Sequence, residues 1–77
     1  MSDRIVARLR KNEVEEVVIA VRNFEGSDFV DIRTFFGARG QETKPTRKGV
    51  TIPLAMYGEF RRSIGLLDTV MAEGGWT

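Results

Sequence analysis

An α+β fold is predicted, with antiparallel strands over most of the chain and one amphipathic helix at its end. Three observations carry this. Val17, Val18, Ile19 and Val21 form a β-branched run that suits a pleated surface. Glu25-Gly26-Ser27-Asp28 then supplies a turn before a second alternating run, Phe29 to Phe36. Near the C-terminus Tyr57, Phe60, Ile64, Leu67 and Met71 recur at steps of three and four, the spacing of one helix face.

Residues 1–16 admit two readings. Ser2 or Asp3 caps a short helix carrying Ile5, Val6 and Leu9, or Ile5, Ala7 and Leu9 alternate as in a strand. The segment is treated as an N-terminal arm (1–16), ahead of a folded domain (17–73) and a short tail (74–77). It is basic at Arg4, Arg8, Arg10 and Lys11 and then acidic at Glu13, Glu15 and Glu16.

Glu16 to Phe24 is the first strand and Phe29 to Phe36 its hairpin partner. Alternation places Val17, Ile19, Val21, Val30 and Ile32 on a face expected to lie against the core. Arg22, Phe24, Arg33 and Phe35 fall on the other. Gly37-Ala38-Arg39-Gly40 reads as a loop. Glu42–Lys44 and Arg47–Ile52 read as a second, shorter hairpin, with Pro45 at a bend or on an edge. Pro53 suits a first helical turn, with Thr51 or Ile52 near the cap. Gly74-Gly75 ends the helix. Leu66 and Val70 widen its apolar stripe beyond a narrow seam.

A chain of 77 residues is a single small domain with a marginal core. It has no cysteine and no histidine, so disulfides and soft metal ligands are absent. Association is the remaining way to reinforce so small a fold, and 42% hydrophobic residues suffice for a core and an interface. The net charge is only +1, so any nucleic-acid partner requires the cations to be sorted onto one face. No apolar run approaches the ~20 residues of a membrane span. No secretory leader is visible, which leads to the expectation of a cytoplasmic protein with no membrane partner, or a nuclear one if the source is eukaryotic.

Two patterns carry chemistry. Lys44-Pro45-Thr46-Arg47-Lys48-Gly49 places three cations in five positions between a stiffening proline and a glycine, as a phosphate-tracking loop does. A basic hexapeptide alone is more often a solvated charge run. The second pattern is the face that alternates Arg22 and Arg33 with Phe24 and Phe35. A core face does not usually take two arginines, whereas a single-strand binder needs cations and exposed rings on which bases stack. No nucleophile–base pair, Walker motif, dinucleotide fingerprint or metal-ligand pattern occurs, so neither an enzyme nor a cofactor nor a bound metal is expected.

Val21-Arg22-Asn23-Phe24-Glu25-Gly26, Val30-Asp31-Ile32-Arg33 and Lys44-Pro45-Thr46-Arg47-Lys48-Gly49-Val50 occur in order and, followed by one amphipathic helix, resemble the C-terminal domain of the transcriptional coactivator positive cofactor 4 family. The short domain with only an arm looks more like bacterial or phage-type members than the eukaryotic protein. The resemblance implies a strongly curved four-stranded antiparallel sheet followed by a helix, with two subunits paired through Tyr57, Phe60, Ile64, Leu67 and Met71. It implies single-stranded or melted DNA as the ligand, contacted by Arg22, Phe24, Arg33, Phe36, Lys44, Arg47 and Lys48; Arg39 and Phe35 are further candidates. Phe36 falls where the family stacks an aromatic, although alternation puts it on the apolar side. The chain departs from the family at Glu25 and Ser27, where lysines are expected, and at the acidic Glu13–Glu16 patch.

The expected function is sequence-independent single-stranded DNA binding by a homodimer in replication, recombination, repair or transcription, with transcription or replication proteins as further partners. The alternatives are an interaction module for an acidic protein and RNA binding.

Overall fold

The computed structural model describes residues 3–76. Four strands, β1 (Arg4–Arg10), β2 (Glu15–Phe24), β3 (Ser27–Phe36) and β4 (Lys44–Pro53), precede one helix, α1 (Leu54–Glu73). They form an antiparallel meander in the order β1-β2-β3-β4, left open with β1 and β4 as its edges.

The central hairpin follows from its turn. Phe24 pairs with Ser27, and the two residues between them, Glu25 (φ 51°) and Gly26 (φ 83°), both have positive φ. Such a two-residue loop matches the right-handed twist of the flanking strands, and its second position favours glycine. The register then runs unbroken from Phe24–Ser27 to Glu15–Phe36.

The structure decides one open reading of the sequence and corrects another. The arm contains a strand: Arg4–Arg10 pairs with β2, and Ser2, one of its two candidate caps, lies outside the described residues. The register shifts between Ile5 and Ala7, leaving Val6 as an extra residue. Ile5 therefore opposes Ala20, while Ala7 and Leu9 oppose Ile19 and Val17 on the other face. The turn that follows is closed by Asn12, whose Oδ1 accepts from the backbone N–H groups of Val14 (3.0 Å) and Glu15 (2.9 Å).

The expected second hairpin is one strand, β4. Arg33 opposes Gly49 and Phe35 opposes Pro45, so Thr46, Arg47 and Lys48 together face Thr34 alone. This bulge lies on an edge strand, where a residue without an N–H is also tolerated, which is why Pro45 ends no strand. Both irregularities fall on the outer strands, and bulges bend and twist the strand that carries them.

The expected core face is also corrected. Of Val17, Ile19, Val21, Val30 and Ile32, only Val30 is buried. Val18 (1% exposed), Ala20 (0%), Asp31 (2%) and Phe35 (7%) lie on the opposite, polar face. The register explains this: Val18 lies between Arg8 and Arg33, and Ala20 between Ile5 and Asp31. Long arginine stems cover small neighbours while their heads stay wet. The apolar face has little above it. Among the described residues α1 touches only β3 and β4 and buries no residue of its own.

The radius of gyration is 14.6 Å, against about 11–12 Å for a compact chain of this length. The helix thus projects from the sheet instead of closing over it. It starts from Pro53, which ends β4 and also caps the helix, and it stops where the Gly74 N–H bonds the Met71 carbonyl at 3.1 Å. Among the described residues no helix is long and apolar enough to cross a membrane.

Ile52, opposite Val30 and 6% exposed, joins the helix start to the sheet. Ile52→Ala should cost about 2 kcal/mol or more, read as a lower urea midpoint at constant m value.

Candidate nucleic-acid interface

The polar face is organised around one carboxylate. Asp31 is buried beside Ala20, with Arg33 two residues on along β3 and Arg22 diagonally across on β2. Its Oδ1 accepts from Arg33 Nη2 at 2.8 Å, and its Oδ2 from Arg33 Nε and Arg22 Nε, each at 3.1 Å. Burial alone would raise the carboxyl pKa. The hydrogen bonds and positive charges of Arg33 and Arg22 outweigh burial, so Asp31 titrates below its ordinary value. Its hydrogen bonds and charge in turn raise the pKa of Arg33.

Arg33 is held on three of its nitrogens, because Nη1 also donates to the Thr46 carbonyl at 3.0 Å. That bond ties the guanidinium to the β4 bulge. The bulge is fixed internally by Thr46, whose Oγ1 donates to the Thr34 carbonyl (2.8 Å) and accepts from the Lys48 N–H (3.1 Å). The guanidinium lies across Gly49. A Cβ at that position would stand 2.9 Å from Arg33 Cζ and 2.8 Å from the Ile32 carbonyl oxygen. Glycine is required there by close approach.

Arg22, Asp31 and Arg33 line an open cleft of about 330 Å³ with Phe29, Pro45 and Thr51. Further along the face, Glu16 accepts from Arg8 Nη1 and Thr43 Oγ1, each at 2.7 Å. The Thr43 hydrogen bond and the Arg8 charge hold Glu16 below the usual carboxylate range against the opposing effect of burial. Glu16 is thus neutralised within the fold and does not project as an acidic obstacle.

The sequence candidates separate into two groups. Arg22, Phe24 and Arg33 share the polar face, and Phe24 is 67% exposed at the hairpin end. Phe36 lies in the row Glu15–Phe36–Lys44, on the apolar side at the far end of the ladder, and is 57% exposed. No bend brings it to the polar face. Nine residue steps separate the two rings along the hairpin, about 30 Å of strand. Lys44, in the row of Phe36, and Arg47 and Lys48, between the two groups, are exposed along the β4 edge, and Lys48 is close enough to help lower the pKa of Glu15.

Arg39 is exposed in the β3–β4 loop. Among the described residues Lys44, Arg47, Lys48 and Arg39 have no carboxylate partner. Phe35, by contrast, is buried between Glu16 and Pro45 and offers no open ring. Tyr57, Ile64, Leu67 and Met71 are exposed on α1, and Phe60 is half-buried.

Sequence reading missed Asp31 and Thr46 as parts of the site, whereas Gly49 reads from the sequence as a bulge or close-approach glycine and is one. Asp31 was visible by parity, since it alternates with Arg33. The Thr46 and Gly49 contacts depend on the bulge. Among the described residues no group of three carboxylates or other metal-ligating side chains converges.

The sequence model of the Transcriptional Coactivator p15 (PC4) family matches residues 11–63. Two crystal structures of a PC4 homologue from Burkholderia pseudomallei share the fold at 24% identity. The orthorhombic form superposes with a TM-score of 0.75 over 87% of this chain and 90% of that one. The tetragonal form gives 0.74 over 87% and 98%.

Two outcomes follow from the carboxylate cluster. Because the Asp31 pKa is depressed, its contribution to stability is present above about pH 3.9 and is lost as pH falls below that through the depressed value. Asp31→Asn should flatten this part of the acid unfolding profile. At neutral pH it should cost less than the ~3–5 kcal/mol of breaking a fully buried pair, because both arginines keep some solvent contact. Gly49→Ala should cost about 1–3 kcal/mol by overpacking, measured by urea unfolding.

Proposed function

We propose that this chain, which belongs to the transcriptional coactivator p15 (PC4) family, binds single-stranded or melted DNA without sequence preference as a homodimer, and acts as a binder with no catalytic role. The observation that carries this reading is the division of cations on and beside the polar face. Arg22 and Arg33 are bound to Asp31 and set in direction, while Lys44, Arg47 and Lys48 stand exposed on the β4 bulge and edge. Free cations attract phosphates by releasing counterions. Fixed guanidiniums offer directed donors and flat surfaces, and the exposed rings of Phe24 and Phe36 offer stacking platforms at the two ends of the track. A stacking surface requires unpaired bases, which favours the single strand over the duplex.

The dimer is supported by what a single chain leaves uncovered. Helices in water draw most of their stability from packing an apolar face. This one buries no residue and carries Gly58 and Gly65, each costing about 1 kcal/mol relative to alanine. An apolar cleft of about 310 Å³ also opens between Val6, Ile19, Val21 and Val30 of the sheet and Leu54 and Tyr57 of the helix. A second copy presenting the same stripe would cover both surfaces. Replication, recombination, repair and transcription all expose single strands and are the processes such a dimer would serve.

Fluorescence titration with a mixed-sequence oligonucleotide against the matching duplex tests the reading. Tighter binding to the single strand is expected, and equal or weaker binding would refute it. Lys48→Ala should reduce the salt slope by about 0.7. Phe36→Ala should weaken binding by about 1–3 kcal/mol with the slope nearly unchanged. Sedimentation at micromolar concentration should give a dimer, and Leu67→Glu should yield a monomer.

A further inference from the structure

Asp3 immediately precedes β1, and its side chain closes the end of the sheet. Its Oδ2 accepts from Arg22 Nη1 at 3.0 Å, and its Oδ1 accepts from the backbone N–H of Asn23 at 3.2 Å. Each carboxylate oxygen is thus taken by a different donor, one a guanidinium and one a backbone amide. Arginine side chains and backbone N–H groups are also the donors that proteins direct at phosphate oxygens.

The fork is built without Asp3. Arg22 is anchored from its other side by Nε on Asp31. The Asn23 side chain donates to Asp28 Oδ1 at 2.8 Å and accepts from the Gly26 N–H at 3.3 Å, which fixes the strand end carrying the amide. Asp3 itself is half-exposed, and among the described residues its side chain makes no other hydrogen bond or ion pair. The next residue on β2, Phe24, presents an open ring beside the fork.

We infer that Arg22 Nη1 and the Asn23 N–H form a phosphodiester-binding fork, occupied in the free protein by the Asp3 carboxylate, which the bound strand displaces. This rests on the single-strand reading proposed above. Exchange of one anion for another keeps Arg22 Nη1 and the Asn23 N–H supplied with acceptors, so Asp3 satisfies the fork when no strand is bound and competes with the strand when one arrives. An exposed ion pair is a weak competitor, so its removal should tighten binding only about two- to five-fold.

The experiment compares the wild-type chain, Asp3→Ala, Arg22→Ala and the double variant by fluorescence anisotropy with a mixed-sequence oligonucleotide at several salt concentrations. Asp3→Ala should bind about two- to five-fold more tightly, with a salt slope steeper by up to about 0.7, because Arg22 then neutralises a phosphate afresh. The gain should vanish in the Arg22→Ala background. Unchanged or weaker binding by Asp3→Ala, or a gain that survives loss of Arg22, would overturn the inference; a carboxylate that merely caps the sheet predicts lower stability and unaltered affinity.

A second measurement separates this site from the single-strand reading. Inorganic phosphate titrated into the labelled protein should move the Asn23 amide resonance saturably, at lower concentration in Asp3→Ala than in wild type. If no variant binds the oligonucleotide, the single-strand reading falls and the phosphate response decides the fork. An Asn23 amide that does not respond in Asp3→Ala would overturn it.

Discussion

A single buried carboxylate governs the polar side of this protein. Asp31 is 2% exposed and receives three hydrogen bonds from two arginines. A buried carboxylate without partners would be driven toward its neutral form, and two adjacent guanidiniums without a carboxylate would repel each other. Each requirement meets the other. The arginine stems then shelter Val18, which explains how an almost fully buried apolar residue comes to lie on the charged face. Through Arg33 the same carboxylate reaches Thr46 and the bulge that carries Arg47 and Lys48.

The other side is governed by what a single chain lacks. The sheet presents half-buried valines and isoleucines, and the helix that could cover them projects away with its stripe exposed. A protomer with one satisfied face and one open face suits an assembly in which the open faces meet and the satisfied faces stay free for a ligand. The proposed function uses this division: association on the apolar side, nucleic acid on the polar side and along the β4 edge.

The central hairpin and the helix were legible in the sequence because their signals are local. β-branched residues flank Glu25-Gly26, and the helix stripe repeats from Tyr57 to Met71. β1 was legible only as one of two readings, because the extra residue Val6 breaks the alternation, sending Ile5 to one face and Ala7 with Leu9 to the other. β4 imitated a hairpin because proline and a three-residue bulge look like a turn until the partner strand fixes the register. The buried face was misassigned for a related reason. Alternation tells which residues share a face, whereas burial depends on what the neighbouring strands place across from them. Of the candidate site, the exposure of Phe24, Lys44, Arg47 and Lys48 agrees with the sequence reading. Alternation also places Phe36 on the apolar side, as the register does, whereas the burial of Phe35 depends on what Glu16 and Pro45 set on either side of it.

The central claim is that the ligand runs from the polar face along the β4 edge to Phe36 at the end of the ladder, while the Val17–Val21 face and α1 serve association. Chemical-shift mapping with a single-stranded oligonucleotide tests this most directly. The account predicts perturbations at Arg22, Asn23, Phe24, Arg33 and Thr46 to Lys48, with the outward helix positions unmoved. Perturbations confined to α1 and the Val17–Val21 face, or none at saturating oligonucleotide, would contradict it.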